Sequence, residues 1–375
     1  MSDVLAEHLV YLSDTTRLAQ FKKAITQSVK PGDLVADIGC GFGVLGMWCL
    51  RAGAARVWGI DSTGALDIAR QSLTRAGLAD RFEFISAQSF HVDLPQQVDV
   101  IVCDHTGHFG LDYKIVYTLN DARRRFLKPG GRIIPARLGL YVGAVQSPSG
   151  RRAAEAWATP PMPPEYHWLR GHGVNTRHLL DVTPSEFLTE PALLGTVDFY
   201  QENLDYFSFK ADLRVTRDGV VDGLAGWHDT ELTEGVFMTN SPLAQARMAR
   251  ASAFFPLDQP LAVKAGDMLS AAVMTRPGEA LISWTVEAPA SGRRQAQSTW
   301  KSLILGEAQF ARAQSGWKPR LSETGEARKI VLGYCDGARS RREIEQAVIA
   351  NHPNLLPTRD AICVFVAQVL ASEAR

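Results

Sequence analysis

The chain lacks an excess of charge of one sign and any long apolar run. Lys plus Arg and Asp plus Glu number 40 each among 375 residues, so no overall field attracts nucleic acid or an acidic membrane surface. The N-terminus has no basic region followed by an apolar core, and no apolar stretch could span a bilayer. These absences disfavour nucleic acid and membrane partners, and they predict a cytoplasmic protein.

Cysteine is also scarce, and the cysteines that occur are scattered. No Cys-x-x-Cys pair is present, so the spacing predicts neither a zinc site nor a disulfide framework. We expect reduced, structural thiols and no metal. The five residues are Cys40, Cys49, Cys103, Cys335 and Cys363.

The most informative residues form a glycine-rich loop. An apolar run, 34–36, leads into Asp37-Ile-Gly-Cys-Gly-Phe-Gly, and a second apolar run follows. Alternate glycines allow positive φ and bring bare backbone against a nucleotide-type cofactor at a helix start. The G-x-G-x-G spacing differs from the G-x-G-x-x-G of dinucleotide binders and favours S-adenosylmethionine over NAD. The predicted cofactor contacts in this loop are Asp37, Gly39, Cys40, Gly41 and Gly43.

A second acid, Asp61, ends the next predicted strand, 57–61. Asp61 stands about twenty residues after the loop, where a carboxylate accepts ribose hydroxyl groups in doubly wound folds. Asp61 could also cap the helix that opens near Ser62, and both roles can hold together. Ser62, Gln88 and Ser89 are further predicted cofactor contacts, because they follow strands that end at the same edge of the sheet.

The order of elements predicts an α/β fold with three domains. Strands and helices alternate over 1–136, which predicts a Rossmann-like parallel sheet with its ligand crevice at the carboxyl ends of the strands. Short alternating strands over 137–312 predict a β-barrel, and its proline-rich stretch 150–188 is either an arm for dimerisation, a lid or a surface loop. Helical patterns over 313–375 predict a small helical domain that includes a capping box at Ser340–Glu343.

Several of these segments together resemble the protein arginine methyltransferase family. The likeness rests on Asp37–Gly43, on the turn into Gly59–Asp61 and on Phe126–Pro135, and it extends loosely through the predicted barrel. The resemblance implies a methyltransferase joined to a barrel, S-adenosylmethionine as donor with S-adenosylhomocysteine as product, and a homodimer. It also implies that His8 and Arg17 bind the methionine part of the cofactor, although their spacing alone suits a solvated helix face.

The acceptor positions depart from the family pattern. Two glutamates of the family fall on Asp104 and Tyr113, and the Thr-His-Trp loop of its barrel falls on Arg247–Ala249. A buried guanidinium needs paired carboxylates to offset its desolvation. The sequence therefore predicts an acceptor other than general protein arginine.

The candidate catalytic residues follow the fourth strand. Asp104 is the first candidate for orienting the acceptor, with a cap on the loop as its alternative role. His105 and His108 could take a proton at physiological pH or serve as structural hydrogen-bonding groups. Tyr113 offers an aromatic face to a less charged acceptor or a methylated cation, or it shapes the wall. On the barrel side His228 is a weaker candidate.

The C-terminal segment resembles, over about fifty residues, the PqqD-like modules that bind leader peptides. The likeness rests on Val331–Ser340 and the helices after it, without the strand pair of those modules. A packing appendage or an oligomer contact is the alternative.

The sequence thus predicts an S-adenosylmethionine-dependent methyltransferase that acts on a nitrogen of a peptide or amino-acid-like metabolite. Two alternatives stay open. One is a protein arginine enzyme with a rebuilt pocket, and the other is a cofactor-binding scaffold without catalysis.

Overall fold

The computed structural model describes residues 4–279, 281–304 and 306–374, and the chain divides into two compact units, Met1–Leu303 and Ile304–Arg375. The first unit contains a parallel sheet followed by antiparallel sheets, and the second contains helices. The predicted α/β class with a barrel and C-terminal helices is confirmed. The three-domain division stays a prediction.

The parallel sheet has five strands in the order β3-β2-β1-β4-β5. Its strands and the helices around it are β1 (Leu34–Ile38), β2 (Arg56–Asp61), β3 (Phe82–Ser86), β4 (Val98–Cys103), β5 (Leu127–Ile134), α1 (Val4–Ser13), α2 (Thr15–Ser28), α3 (Val44–Arg51), α4 (Ala65–Arg75) and α5 (Ile115–Arg125).

Burial explains why these short apolar runs become central strands. Every residue of β1 after Leu34 is buried, and so are the last four residues of β4. Helices cover both faces of a parallel sheet, so its strands are apolar throughout rather than alternating. Since β1 pairs with β2 on one side and β4 on the other, the chain reverses its strand order at β1, where such folds place ligands.

Two antiparallel sheets follow, ordered β7-β12-β10-β6-β8 and β15-β14-β13-β9, with β11 paired to β10. β8 lies against β9 and β12 against β15, so the sheets close into a barrel-like body. Their elements are β6 (Arg137–Val145), α6 (Pro148–Glu155), α7 (Arg170–Gly173), β7 (His178–Leu180), β8 (Ala192–Asp198), β9 (Phe207–Arg214), β10 (Gly219–Thr233), β11 (Val236–Thr239), β12 (Ser252–Val263), β13 (Met268–Arg276), β14 (Leu281–Ala288) and β15 (Arg293–Ser298).

Two of these strands, β7 and β12, do not show the short alternating pattern on which the barrel prediction rests. The first six residues of β12 are all buried, so the alternation that marks a strand is missing there. β7 has three residues and gains its strand geometry by pairing with β12. Tertiary contact, rather than local pattern, sets both elements.

The stretch 150–188 packs closely on the barrel along part of its length. Arg151 pairs with Asp222 on β10, and Arg170 pairs with Asp258 on β12. Three aromatic side chains of this stretch, Trp157, Tyr166 and Trp168, are exposed. A role as an arm stays a prediction.

The C-terminal unit contains α8 (Glu307–Ala313), α9 (Glu323–Leu332), α10 (Arg341–Asn351) and α11 (Arg359–Glu373). Residues of the last three helices form its core. The capping box predicted at Ser340–Glu343 is confirmed, since each side chain bonds the other's backbone N–H. In the described part of this unit there is no strand, in keeping with the missing strand pair noted above.

None of the helices among the described residues is long and apolar enough to cross a bilayer.

Two valines of α11 provide a test of this core. Val366 is fully buried and Val364 is 56% exposed. We expect Val366→Ala to lower the opening free energy of the α11 amides by about 2 kcal/mol, because buried methyl groups are lost and a void is left. Val364→Ala should change it by less than about 0.5 kcal/mol. Native-state hydrogen exchange measures both, and equal effects would contradict the assigned core.

Candidate active site

The glycine loop leaves β1 in a conformation that favours glycine. Gly39, Gly41 and Gly43 have φ of 67°, 52° and 74°. The N–H groups of Gly39 and Cys40 both donate to the Ile60 carbonyl, which holds the loop against β2. The helix α3 then begins at Val44, as the sequence predicted for this loop.

Two acids brace the loop from different sides. Asp61 accepts a bond from the Gly41 N–H at 2.9 Å, and its other oxygen accepts from the backbone N–H and hydroxyl of Thr63. Its carboxylate thus organises both the loop and the chain leading to α4. Asp37 lies buried beneath the loop and accepts from the Gly46 N–H at 2.8 Å, while burial raises its pKa to about 7. Asp37 therefore shapes the turn from below.

A crevice runs along the carboxyl ends of the strands as two adjoining cavities. One, of about 320 Å³, is lined by Asp61, Ser62, Gln88 and Ser89. The other, of about 410 Å³, is lined by residues of α1 and α2 and by the loop. The structure therefore brings most predicted cofactor residues to one crevice. The exceptions are Asp37, which is buried, and Gly43, where an added Cβ would meet Leu73.

Two imidazole rings lie over the loop. The His8 ring stacks on Phe42 at 4.0 Å, and a Cβ added at Gly41 would overlap His8. A Cβ at Gly39 would overlap His105 in the same way. Side chains at these two glycines would therefore fill the crevice from below.

Arg17 and Asp104 form a buried ion pair at the inner end of the crevice. The Arg17 Nε donates to Asp104 Oδ2 at 2.6 Å, and its Nη2 donates to the same oxygen. The Arg17 Nη1 donates to the Tyr11 carbonyl at 2.9 Å, and Asp14 caps α2 by accepting from the Arg17 N–H. The two side chains are 6% and 9% exposed. Arg17 is thus held by three bonds with donors to spare.

Two buried polar atoms beside this pair have no partner among the described residues. They are Asp104 Oδ1 and His105 Nδ1. Buried polar atoms in native proteins are nearly always satisfied, so an unpartnered acceptor at a crevice indicates a ligand. Burial also lowers the pKa of His105, so its ring is neutral at physiological pH. The residues present therefore suit a nucleoside cofactor along the crevice and a polar acceptor at its end.

The segment 104–113, here called the acceptor loop, is fixed to the barrel. His228 is fully buried, and burial lowers its pKa to about 4. Its Nε2 donates to the Gly107 carbonyl at 3.3 Å while its Nδ1 accepts from Thr230 at 2.7 Å. Asn240 donates to the His108 carbonyl at 2.8 Å. His228, a weaker catalytic candidate in the sequence, thus positions the loop from behind.

The remaining candidates occupy different sides of the acceptor loop. His108 directs its Nδ1 to the Ala251 carbonyl at 3.0 Å. Asp112 accepts from the His108 and Phe109 N–H groups and pairs with Arg177 at 2.6 Å. Tyr113 is 54% exposed and lines both cavities of the crevice. With φ of 51° and 58°, Tyr113 and Lys114 are the described non-glycine residues in the left-handed region. Such strain is typical of functional positions.

In the barrel segment that aligns with the Thr-His-Trp loop of the family, the polar side chain that reaches the acceptor loop lies one residue after the three aligned positions. Met248 is buried and the Ala249 N–H donates to Asp14, so neither presents a polar side chain to the crevice. The next residue, Arg250, does: its Nη1 donates to the Gly107 carbonyl and its guanidinium lies over the Tyr11 ring. Sequence reasoning missed Tyr11, Arg177, Asn240 and Arg250, because long-range packing alone brings them here.

Comparison with known proteins agrees with this geometry. Residues 35–131 match the model of a methyltransferase domain, and residues 166–283 match the model of the arginine methyltransferase oligomerization subdomain. An arginine N(omega)-methyltransferase of Streptomyces achromogenes subsp. streptozoticus is 30% identical over 70% of this chain and 74% of its own length. The chain belongs to the protein arginine methyltransferase family. As a member it is a methyltransferase that uses S-adenosylmethionine.

A further relative and two solved structures cover between 61% and 79% of this chain at lower identity. Protein arginine N-methyltransferase 1 of Dictyostelium discoideum is 28% identical over 61% of this chain and 68% of its own length. Among solved structures, the Trypanosoma brucei PRMT1 enzyme–prozyme complex with AdoHcy has a TM-score of 0.70 at 19% identity, covering 78% of this chain and 96% of that one. Arabidopsis thaliana protein arginine methyltransferase 10 gives 0.69 at 20%, covering 79% and 98%. These two structures share the fold. Neither family model reaches the C-terminal helical unit.

Substitution of two glycines tests whether the cofactor binds in the crevice above the glycine loop. Gly39 and Gly77 have nearly the same φ, 67° and 68°, but only an added Cβ at Gly39 meets another residue. Both alanine variants should lose about 1 kcal/mol of stability from the left-handed backbone, and Gly39→Ala should also displace the His105 ring. We expect only Gly39→Ala to weaken S-adenosylhomocysteine binding as well, by tenfold or more, in calorimetry. Equal affinities for the two variants would place the cofactor elsewhere.

The buried His228 predicts a pH dependence of stability. Its pKa is lowered to about 4 in the folded protein from an ordinary value of 6.5. Between these values the unfolded chain binds more protons, so stability falls as the pH decreases from 6.5 to 4. The loss attributable to His228 should be roughly 3 kcal/mol. Urea unfolding at pH 7 and pH 4.5 should show a smaller loss for His228→Gln than for wild type or for the exposed control His91→Gln.

Proposed function

We propose that this enzyme methylates a nitrogen of a peptide or an amino-acid-like metabolite rather than general protein arginine. The observation that carries the proposal is the small number of carboxylate oxygens free to bind an acceptor at the end of the crevice. Asp104 gives one oxygen to Arg17 and keeps Oδ1 without a partner, while the second acidic position of the family is occupied by Tyr113.

Nearby acids do not replace the missing carboxylate. Asp112 stands next to Tyr113, but Arg177 and two backbone N–H groups engage it, and the Arg177 guanidinium and these bonds lower its pKa. A guanidinium brought to the end of the crevice would find one oxygen of Asp104 without a partner among the described residues, and the hydroxyl of Tyr113. The acids that line the adjoining cavity already accept other bonds: Asp14 from two backbone N–H groups, and the exposed Glu7 from the Tyr11 hydroxyl. Taking a cation from water costs several kcal/mol unless it is paired and hydrogen-bonded, so the site favours a less charged nitrogen.

Bound S-adenosylmethionine supplies a methyl group on a sulfonium sulfur, and in an in-line displacement the acceptor nitrogen forms the N–C bond as the S–C electron pair returns to sulfur. Asp104 Oδ1 is placed to accept an N–H of the acceptor and so to aim its lone pair. The proton released from that nitrogen needs a neutral base. Within the described residues His105 Nδ1 is buried, lacks a partner and belongs to a ring that burial keeps neutral.

The other candidate catalytic residues would shape the site rather than take part in the methyl transfer. His108 is engaged with the Ala251 carbonyl and would hold the acceptor loop. Tyr113 adjoins both cavities and would form the wall between cofactor and acceptor. For the cofactor we propose Arg17 and His8 at the methionine end, the glycine loop beneath it, and Asp61 with Ser62, Gln88 and Ser89 at the nucleoside end.

The comparisons support two acceptor classes. The Streptomyces relative is named for the omega nitrogen of arginine, so its name agrees with an amino-acid acceptor, although that nitrogen belongs to a guanidinium. The Dictyostelium relative is named for protein arginine, and the presence of Asp104 at one acidic position supports a rebuilt protein arginine enzyme as the second candidate. The PqqD-like role of the C-terminal unit, the homodimer and the cytoplasmic location stay predictions.

The proposal is tested by transfer of an isotopically labelled methyl group from S-adenosylmethionine to a cell extract, with mass spectrometry of each size fraction. We expect label on a small molecule or short peptide. Asp104→Asn, which should lower turnover at least a hundredfold, serves as the background. Label on arginine residues of proteins would overturn the proposal in favour of the second candidate, and cofactor binding without transfer would support a scaffold.

A further inference from the structure

Arg250 brings an unassigned cation to the acceptor side of the crevice. It follows Met248, which is buried, and Ala249, whose N–H donates to Asp14. Its Nη1 donates to the Gly107 carbonyl at 2.9 Å, and no other hydrogen bond of its guanidinium is formed within the described structure. Several N–H donors of Arg250 are therefore available to a ligand.

The Tyr11 ring fixes where this guanidinium lies. The Cζ atom of Arg250 is 5.4 Å from the centre of the Tyr11 ring, and the Cζ atom of Arg17 is also 5.4 Å from that centre. The two guanidinium carbons are therefore no more than 10.8 Å apart, which is twice 5.4 Å. Because Arg17 is paired with Asp104, the cation of Arg250 lies close to the end of the crevice where we place the reacting nitrogen.

A cavity of about 210 Å³ opens between these groups. It is lined by Glu7, Tyr11, Asp14, His108, Tyr113 and Arg250 among others. Neither acid pairs with Arg250. Asp14 accepts from the Arg17 and Ala249 N–H groups, and Glu7 accepts from the Tyr11 hydroxyl on the exposed surface of α1. The cavity thus combines an aromatic floor with an unpaired cation.

We propose that Arg250 binds a carboxylate of the methyl acceptor, which makes the acceptor an α-amino acid or a peptide whose carboxylate lies near the reacting nitrogen. A guanidinium presents a planar fork of donors that matches a carboxylate, and stacking over an aromatic ring holds that fork in place. The inference rests on the proposed function and narrows its substrate class.

The limited distance between Arg250 and Arg17 favours a carboxylate close along the chain to the reacting nitrogen. An extended chain covers at most about 3.6 Å per residue, so 10.8 Å corresponds to about three residues. A single amino acid fits this span, and so does the C-terminal residue of a peptide or an acidic neighbour of the methylated residue. An arginine inside a basic protein segment offers no such group.

Matched acceptors that differ only in the carboxylate test the proposal. The probes are arginine with agmatine, histidine with histamine, and lysine with cadaverine, together with short peptides with free or amidated C-termini. Methyl transfer from labelled S-adenosylmethionine gives kcat and KM, and calorimetry with S-adenosylhomocysteine present gives affinity. We expect at least one carboxylate-bearing probe to be preferred about tenfold to a hundredfold over its partner, the range of a charge-assisted hydrogen bond.

Substitutions of Arg250 distinguish binding of the acceptor carboxylate from support of the acceptor loop through the Gly107 carbonyl. Arg250→Gln should abolish the preference by raising KM for the carboxylate-bearing probe alone, and Arg250→Lys should restore part of it. The control is Arg294→Gln, on exposed β15, which should leave the preference intact. If Arg250 only supports Gly107, Arg250→Gln will lower kcat for both members of each pair and the preference will survive.

Three outcomes overturn the inference. They are equal use of both members of every pair, a preference that survives in Arg250→Gln, and neither transfer to nor binding of any carboxylate-bearing probe. If methyl transfer to small amines or amidated peptides is as efficient as transfer to the matching acids, the inference fails while the proposed function stands. If label appears on internal arginine residues of proteins alone, both fail.

Discussion

The buried ion pair between Arg17 and Asp104 is the interaction on which the site depends. It ties the second helix to the end of β4, and the side chains are 6% and 9% exposed. Removing one partner of such a pair leaves an uncompensated buried charge and costs about 3–5 kcal/mol. The two oxygens of Asp104 differ: Oδ2 accepts from Arg17, and Oδ1 is buried without a partner among the described residues.

The barrel contributes the position of the acceptor loop. His228, Asn240 and Arg250 donate to two consecutive carbonyls of that loop, so its geometry is set by barrel residues far away in sequence. The same contacts bring a cation to the acceptor side, while Tyr113 stands where the family has a second acid. Asp104 has one oxygen without a partner among the described residues and the Arg250 guanidinium lies on the same side, so we propose an acceptor that is itself partly anionic. On this proposal the family scaffold and its donor chemistry are combined with a different electrostatic demand on the acceptor.

Local signals in the sequence were sufficient for the parallel sheet and the glycine loop. Gly39 and Asp61 stand at fixed distances from short apolar strands, and such spacing is independent of the rest of the chain. The acceptor side could not be predicted in the same way. Arg250 and Arg177 reach the loop only after the barrel has closed, and no local pattern marks them. His228 was a catalytic candidate by residue type alone, whereas its full burial shows a positioning role.

A crystal structure with S-adenosylhomocysteine tests the central claim most directly. We expect Arg17 to keep its contact with Asp104 Oδ2 and to use its remaining N–H donors for the ligand carboxylate, which leaves only Asp104 Oδ1 for the acceptor. If Arg17 instead leaves Asp104, both oxygens become free to pair with a guanidinium. That result would contradict the account.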